Sequence, residues 1–262
     1  MCGAIIVVIF IILAVIAPLI APHDPTQMTI SKKLQPPSSE YWFGTDDKGR
    51  DIFSRLLYGS RISLIVGIVS TLLGAFAGIL LGIISGYYGR WIDSLIMRIC
   101  DVLLAFPGIL LALAIVSVLG ASTTNVIIAV AFFAVPTFAR IVRGSTLGVK
   151  KLEYIDAIKA MGSSDFRIIF KHVLPNILSP IIVQATLYIA SAIITASALS
   201  FLGMGTKPPT PEWGTMLAQG RSYLKQAPHV TLFPGLAILL VVVGFNLFGD
   251  GLRDALDPKS KK

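Results

Sequence analysis

The stretch ISLIVGIVSTLLGAFAGILLGIISG, residues 62–86, contains no charged side chain. As an α-helix rising 1.5 Å per residue it extends about 38 Å, more than the roughly 30 Å hydrocarbon core of a bilayer. Small residues recur at every fourth position and share one helix face, where they let a second helix approach closely. The stretch therefore predicts a transmembrane helix whose groove packs against the same chain or another subunit, formed by Ser70, Gly74, Gly78, Gly82 and Gly86.

Five other apolar stretches are long enough to be transmembrane helices too. The chain is 55% hydrophobic and 14% charged, far from the balance of a soluble domain. None of the stretches alternates apolar and polar residues as the strands of a membrane barrel do. We therefore predict an all-α polytopic membrane protein with six transmembrane helices, two of them kinked at Pro107 and Pro136: residues 3–21, 62–86, 95–119, 123–143, 177–202 and 230–249.

The N-terminal stretch is predicted to remain as the first helix. It lacks the basic region and the convincing cleavage site of a secretory signal peptide. The predicted organisation is a first transmembrane helix at 1–22, an external loop at 23–60, a transmembrane core at 61–252 that includes a loop at 150–175, and a cytoplasmic tail at 253–262.

The net charge of +8 raises the possibility of a nucleic-acid partner, but the basic residues lie in loops between apolar stretches. That distribution is typical of membrane topology, in which cytoplasmic loops carry the excess of lysine and arginine. With both termini inside, thirteen basic residues fall on the cytoplasmic side and nine outside. We predict cytoplasmic N- and C-termini and no nucleic-acid partner. The distant Cys2 and Cys100 match neither a metal motif nor a disulfide framework, so we predict no metal and no cofactor.

The segment EYIDAIKAMGSSDFRIIFKHVLPN, residues 153–176, is the charged exception between two apolar spans. Apolar residues at helical spacing predict two short amphipathic helices, separated by Gly162 and followed by a turn at Pro175. Two surfaces suit such a helix pair, the lipid headgroups or a groove in another protein. The acids Glu153, Asp156 and Asp165 beside the bases favour the protein groove.

This segment resembles the coupling loop of binding-protein-dependent ABC transporter permeases, known as the EAA loop. Asp156, Ala157 and Ile158 stand where the family often has Glu-Ala-Ala, while Gly162 and Leu174-Pro175 match the motif glycine and its end. The stretches FGTDDKGRDIFSRLLYGSRISL and FLGMGTKPPTPEWGTMLAQGRSYL resemble the dipeptide, oligopeptide and nickel branch, in its C-type subunit. The likeness covers residues 5–258.

The resemblance implies a type I ABC importer transmembrane domain in a bacterial or archaeal cell membrane, carrying di- or oligopeptides. It implies as partners a homologous second permease, two ATP-binding cassette ATPase subunits and an extracytoplasmic solute-binding protein. The chain itself is then no enzyme, and it contains no GxxxxGK[ST] phosphate loop. The residues expected to couple it to the ATPases are Glu153, Asp156, Ala157, Lys159, Gly162, Asp165 and Pro175.

The fifth span carries a polar stripe on one helix face. Polar side chains facing lipid are unfavourable, so the stripe is expected to line a translocation path or to form ordinary interhelical hydrogen bonds. Its members are Gln184, Tyr188, Ser191 and Thr195. In the outer loops, Glu212 and Trp213 are candidates for touching the binding protein or, equally, for anchoring the loop at the membrane interface and forming its turns.

Three other functions were weighed. The same machinery carrying nickel or another small solute fits the same motifs. An ion-gradient-driven secondary transporter calls for a buried mid-span charge and an internal repeat, for which Asp101 is a weak candidate. A membrane enzyme calls for HExxH, GxSxG or a comparable constellation within the spans, and the sequence contains neither motif.

Overall fold

The computed structural model describes residues 2–256, and within that range it contains helices but no β-strand. Five helices are long and apolar enough to cross a membrane, and a bent pair makes a sixth when it is counted as one span. The helices are α1 (Cys2–Ile20), α2 (Ile52–Tyr88), α3 (Arg90–Ala105), α4 (Gly108–Leu119), α5 (Thr123–Lys150), α6 (Glu153–Ala160), α7 (Asp165–Ile168), α8 (Leu174–Phe201), α9 (Trp213–Gly220) and α10 (His229–Leu256).

The glycine stripe of α2 packs against α5 of the same chain. A Cβ atom at Gly74 would lie 2.3 Å from the Ala134 side chain, and one at Gly82 would lie 2.6 Å from the Ala139 carbonyl oxygen. Gly78 and Gly86 likewise face later turns of α5, so the two helices run parallel. Their backbones approach closely because the α2 positions that face α5 are glycines, which have no side chain.

The predicted third span, residues 95–119, is broken into two helices. α3 and α4 meet at an angle of 91° around Phe106 and Pro107. Proline fixes its own φ and disfavours helical geometry in the residue before it, and Phe106 has extended dihedral angles. The kink expected at Pro107 is therefore a full break, whereas α5 continues without interruption through Pro136.

The predicted turn at Pro175 is also wrong. α7 continues through a π-helical segment, Ile169–Val173, directly into α8, so residues 165–201 form one helix. In a regular α-helix the ring of Pro175 would clash with the Lys171 carbonyl and leave it unpaired. The wider π turn, in which the Leu174 N–H donates to the Ile169 carbonyl, accommodates the proline inside the helix.

The bundle has two different ends. At one end, α2 and α5 terminate next to residues 151–173, which we call the helical loop. The start of α1 lies at this end too, because Gly3 contacts Leu247 and Phe248 near the end of α10. At the other end, residues 21–51 and 202–228 fold together into a layer that we call the polar cap.

Two predicted boundaries shift. α2 begins at Ile52, so the external loop predicted at 23–60 ends in two helical turns. α10 runs to Leu256, so the tail predicted from residue 253 starts as helix, and residues 257–262 lie outside the described residues.

Candidate functional site

The helical loop begins with α6, which follows the end of α5 after two residues. Glu153 and Asp156 lie in its first turn and Lys159 in its last. Acids near the N-terminus and a base near the C-terminus interact favourably with the helix dipole, so they stabilise a helix of only eight residues. The local sequence therefore favours a separate short helix here over a longer α5.

Gly162 makes the turn between the two short helices. Its φ is 80°, in the left-handed region that side-chain-bearing residues rarely adopt, and a Cβ atom there would meet nothing within 4 Å. The need for glycine is thus conformational, and steric crowding plays no part. Ser164 then caps α7 by accepting a hydrogen bond from the Arg167 backbone N–H.

Most of the predicted coupling residues lie on the open surface of the helical loop. Asp165 is half-buried and the others are exposed: Glu153, Asp156, Ala157, Lys159, Gly162 and Pro175. No salt bridge joins Asp156 to Lys159 in the part of the chain that the structure describes. Their charges therefore remain available to a partner.

Three large apolar side chains project from the same surface. Met161 is 78% exposed and Phe166 70%, and the ring of Phe166 lies 4.4 Å from that of Phe170. Ile168 and Val173 occupy the buried positions of this segment, so both phenylalanine rings remain exposed. We call Met161, Phe166 and Phe170, with the surrounding charged residues, the loop surface.

The opposite face of the helical loop is fixed to the bundle. Ile155, Ile168 and Val173 are at most 2% exposed and join one apolar cluster with Ile83 of α2 and Val142 of α5. The loop is therefore packed tightly beneath and open above. The helical loop, α2 and α5 therefore share one packed apolar core at this end of the bundle.

The four residues of the polar stripe on α8 lie in different environments. Tyr188 is buried, with its ring 5.6 Å from that of Phe138 in α5. Ser191 is exposed, and its carbonyl accepts the hydroxyl of Thr195 at 2.9 Å. Gln184 lines an open cavity of about 490 Å³ between α5, α8 and α10. The stripe thus runs along the border of an open face of α8.

A buried ionic cluster in the polar cap is the main feature that sequence reasoning missed. The Arg50 side chain is fully buried; its Nε donates to Asp46 Oδ2 at 2.6 Å and its Nη2 to Gln219 Oε1 at 2.8 Å. Arg55 is 1% exposed and donates to the carbonyls of Pro25 (2.9 Å) and Pro209 (3.2 Å). The two arginines join the segment before α2 to the loop after α8.

Trp213 and Glu212 belong to this buried layer. Trp213 is fully buried and donates its indole N–H to the Leu56 carbonyl at 3.0 Å. Glu212 is 3% exposed and caps α9 through the backbone N–H groups of Gly214 and Thr215. Both side chains are buried in this conformation, and the Glu212 cap is the turn-forming role that was the alternative to contact with the binding protein.

Acidic groups of the polar cap have shifted pKa values. Burial, and then the neighbouring Asp46 carboxylate, raise the pKa of Asp47. The hydrogen bond from the Lys32 ammonium lowers the pKa of Glu40. Within residues 2–256, no group of three or more His, Cys, Asp or Glu side chains is arranged to hold a metal ion.

A multi-pass helical bundle of this kind is the transmembrane fold of ABC importers. A subunit of the inward-facing MetNI methionine ABC transporter has the same fold, with a TM-score of 0.63 at 20% identity over 79% of this chain and 98% of that one. An amino acid ABC transporter determined with histidines gives 0.59 at 12% identity over 78% of this chain and 95% of that one. These likenesses concern the fold alone.

The chain belongs to the family described as binding-protein-dependent transport system inner membrane component, whose sequence profile matches residues 78–262. A second profile, the N-terminal TM domain of oligopeptide transport permease C, matches residues 1–37. The protein is thus a multi-pass inner-membrane transport permease and not an enzyme.

Two relatives show how similar the chain is to other members. A dipeptide transport system permease protein of Alkalihalophilus pseudofirmus is 54% identical over 259 residues, which cover 99% of this chain and 85% of the relative. A glutathione transport system permease protein of Pectobacterium atrosepticum is 53% identical over 256 residues, covering 97% and 85%. The similarity extends over the polar cap as well as the helices.

Proposed function

We propose that this chain is one permease subunit of an ATP-driven importer for small peptides. It forms the translocation path with a homologous second permease, while two separate ATPase subunits hydrolyse ATP and an extracytoplasmic binding protein delivers the solute. The family supports the importer class. The peptide substrate is supported by two relatives above half identity, one named for dipeptides and one for glutathione, itself a small peptide.

The observation that carries the proposal is the loop surface. It leaves Met161, Phe166 and Phe170 exposed beside charged residues such as Asp156 and Lys159, between which no salt bridge forms in the described part of the chain. A patch of large apolar side chains outside the apolar spans points to an interaction site. An apolar centre with a charged rim suits docking into a groove of another protein. We assign that groove to an ATPase subunit, since the chain contains no phosphate-binding loop of its own.

The mounting of the loop explains how such docking would drive transport. Because α7, the π segment and α8 form one helix, displacement of Phe166 or Phe170 tilts α8 directly. The apolar cluster beneath the loop carries the same displacement to α2 and α5. Closing and opening of the ATPases would then switch the bundle between two orientations by rigid-body motion.

The proposed orientation places the helical loop, the start of α1 and the end of α10 in the cytoplasm. Support comes from the basic residues, which are densest in and around the helical loop. The contact of Gly3 with Leu247 and Phe248 supports assigning the start of α1 and the end of α10 to the same side of the membrane. The polar cap then faces the binding protein.

The open face of α8 is proposed to line the path. Gln184, Ser191 and Thr195 are the polar groups that border it, and Tyr188 supports them from behind by packing on Phe138. In the complete transporter the homologous permease would supply the facing wall.

The experiment is uptake of labelled alanyl-alanine by membranes that contain the whole complex, with Gly162 replaced. Because φ at Gly162 is 80° and the surrounding space is open, the penalty comes from the backbone alone, about 1–2 kcal/mol for alanine and more for a β-branched residue. We expect Gly162→Val to lose uptake while its amount in the membrane is unchanged. Gly162→Asn should retain uptake, since asparagine tolerates this conformation.

Gly148→Ala serves as the matched control. Gly148 lies at the end of α5, also with open space around it, but in helical geometry. If Gly162→Val transported at the wild-type rate, the loop would not be the coupling element. Competition with unlabelled glutathione distinguishes the two substrates. If glutathione does not reduce the uptake of labelled alanyl-alanine, the transporter carries dipeptides and not glutathione.

A further inference from the structure

Tyr87, in the last turn of α2, makes polar contacts with both the helical loop and α5. Its side chain is only 5% exposed, and its hydroxyl donates to Asp165 Oδ1 at 2.7 Å. The two residues are 78 positions apart in the sequence. This is a direct polar link between a membrane helix and the helical loop.

Lys150 holds the same tyrosine from α5. Its Nζ donates to the Tyr87 backbone carbonyl at 2.5 Å and lies 5.5 Å from the centre of the Tyr87 ring. The α2 helix has no basic residue in its own last turn, so Lys150 supplies the positive charge that a helix C-terminus favours. The close approach of Gly86 to Thr146 brings the two helix ends together.

Asp165 is free to make this link because it does not cap α7. Ser164 already does so by accepting the Arg167 N–H. The carboxylate of Asp165, half-buried in the first turn of α7, is therefore directed to Tyr87. A hydrogen bond to a charged acceptor is about twice as strong as one between neutral groups.

We propose that Tyr87 is a positioning residue that locks the helical loop to α2 and α5, so that these helices move with the loop during coupling. This inference rests on the proposed function of the loop. Without the Tyr87 hydroxyl the loop would remain attached through α8 and its apolar base, but it would change its angle to α2. ATP hydrolysis would then continue with less solute moved.

The test uses the complete transporter in proteoliposomes and measures labelled alanyl-alanine moved per ATP hydrolysed. Tyr87→Phe removes one oxygen and leaves the ring in place. Since a hydrogen bond of this kind shifts an equilibrium by about tenfold or more, we expect the ratio to fall by about tenfold with ATPase activity retained. Tyr88→Phe is the matched control, because Tyr88 is 47% exposed and adjacent. A purely structural loss would lower both activities together.

A double-mutant cycle assigns the effect to the pair. Asp165→Asn keeps an acceptor for the hydroxyl but loses the charge, so the ratio should fall less than in Asp165→Ala, which should match Tyr87→Phe. The double variant Tyr87→Phe/Asp165→Ala should be no worse than either single change, because both remove the same bond. Additive losses would overturn the proposal, and so would a wild-type ratio in Tyr87→Phe.

The two proposals fail in different ways. If Gly162→Val loses uptake while Tyr87→Phe and Asp165→Ala keep the wild-type ratio, the lock is wrong and the coupling role of the loop stands. If Gly162→Val is unaffected, the coupling role itself is wrong.

Discussion

Replacing Arg50 by methionine should strongly destabilise the polar cap. Methionine fills much of the same volume, so the change removes the charge and the donors while leaving little cavity. Arg50 is fully buried, and its Nε to Asp46 Oδ2 distance is 2.6 Å. Its Nη2 donates to Gln219 Oε1, 169 residues later in the sequence.

The expected loss of stability follows from the buried carboxylates that lose Arg50 as a partner. Removing one partner of a buried ion pair costs about 3–5 kcal/mol, since the remaining charge is buried without compensation. Among the described residues, Asp46 here keeps two backbone N–H donors and a single close cation, Arg55, whose Nε is 3.5 Å from Asp46 Oδ2. Asp47 loses its ion pair with Arg50. For a chain of this size that cost corresponds to a fall of about 6–20 °C in the unfolding midpoint.

The assay is the thermal unfolding midpoint of the detergent-purified complex. Lys48→Met is the matched control, because it removes the same charge two residues away from a half-exposed position. The amount by which Arg50→Met lowers the unfolding midpoint should become smaller as the pH falls. Burial raises the pKa of Asp47 above its ordinary value near 3.8, and the Arg50 charge opposes that rise. In the variant, Asp47 therefore binds its proton more tightly in the folded state than in the unfolded state. The contribution of Asp47 then makes the variant more stable as the pH decreases.

A midpoint for Arg50→Met no lower than that for Lys48→Met would refute the reasoning. So would a deficit that stays constant into the acid range. Either result would mean that water reaches the cluster and screens its charges.

Two further substitutions test the packing of the helices. In Gly78→Leu the new Cβ would lie 2.5 Å from that of Phe138 and would force α2 and α5 apart, at a cost of about 1–3 kcal/mol or more. The amount of folded protein in the membrane should therefore fall. Gly144→Ala is the control and should leave that amount unchanged, because the new Cβ has no neighbour within 4 Å. In Pro175→Ala the restored N–H allows a regular α-helix in place of the π segment, which would rotate α7 by about 100° relative to α8. Uptake should fall, and the unfolding midpoint should fall too, because the rotation moves Ile168 out of the apolar cluster beneath the loop. Unchanged uptake would show that the rotation of α7 does not matter.

The long helices could be predicted from the sequence because each one is decided locally. An uncharged stretch such as residues 62–86 has no alternative to a helix in a bilayer, where every backbone group must be paired within the segment. The prediction failed where proline acted. The apolar sequence continues across Phe106-Pro107 as it does across Pro136. The helix nevertheless breaks at Phe106-Pro107 and continues through Pro136.

The ionic cluster could not be predicted because its partners are far apart in the sequence. Residues Thr45–Asp51 read alone suggest a solvated turn, with acids and bases alternating over a few positions. Only the fold brings Gln219 and the Pro209 carbonyl to the two arginines. Burial of Trp213 has the same origin, since its indole N–H finds its acceptor in Leu56, 157 residues earlier.

The glycines of α2 have a consequence for how force would travel through the bundle. From Gly74 to Gly86 the two backbones are separated by little more than single side chains such as Ala134, so sliding one helix along the other would drive these contacts into overlap. The pair is therefore stiff along its whole length, from the middle of the bundle to the helical loop. A displacement delivered at Tyr87 and Lys150 would reach the centre of the bundle without being absorbed on the way. The same stripe that specifies the packing of the chain thus makes α2 and α5 suitable as a single lever.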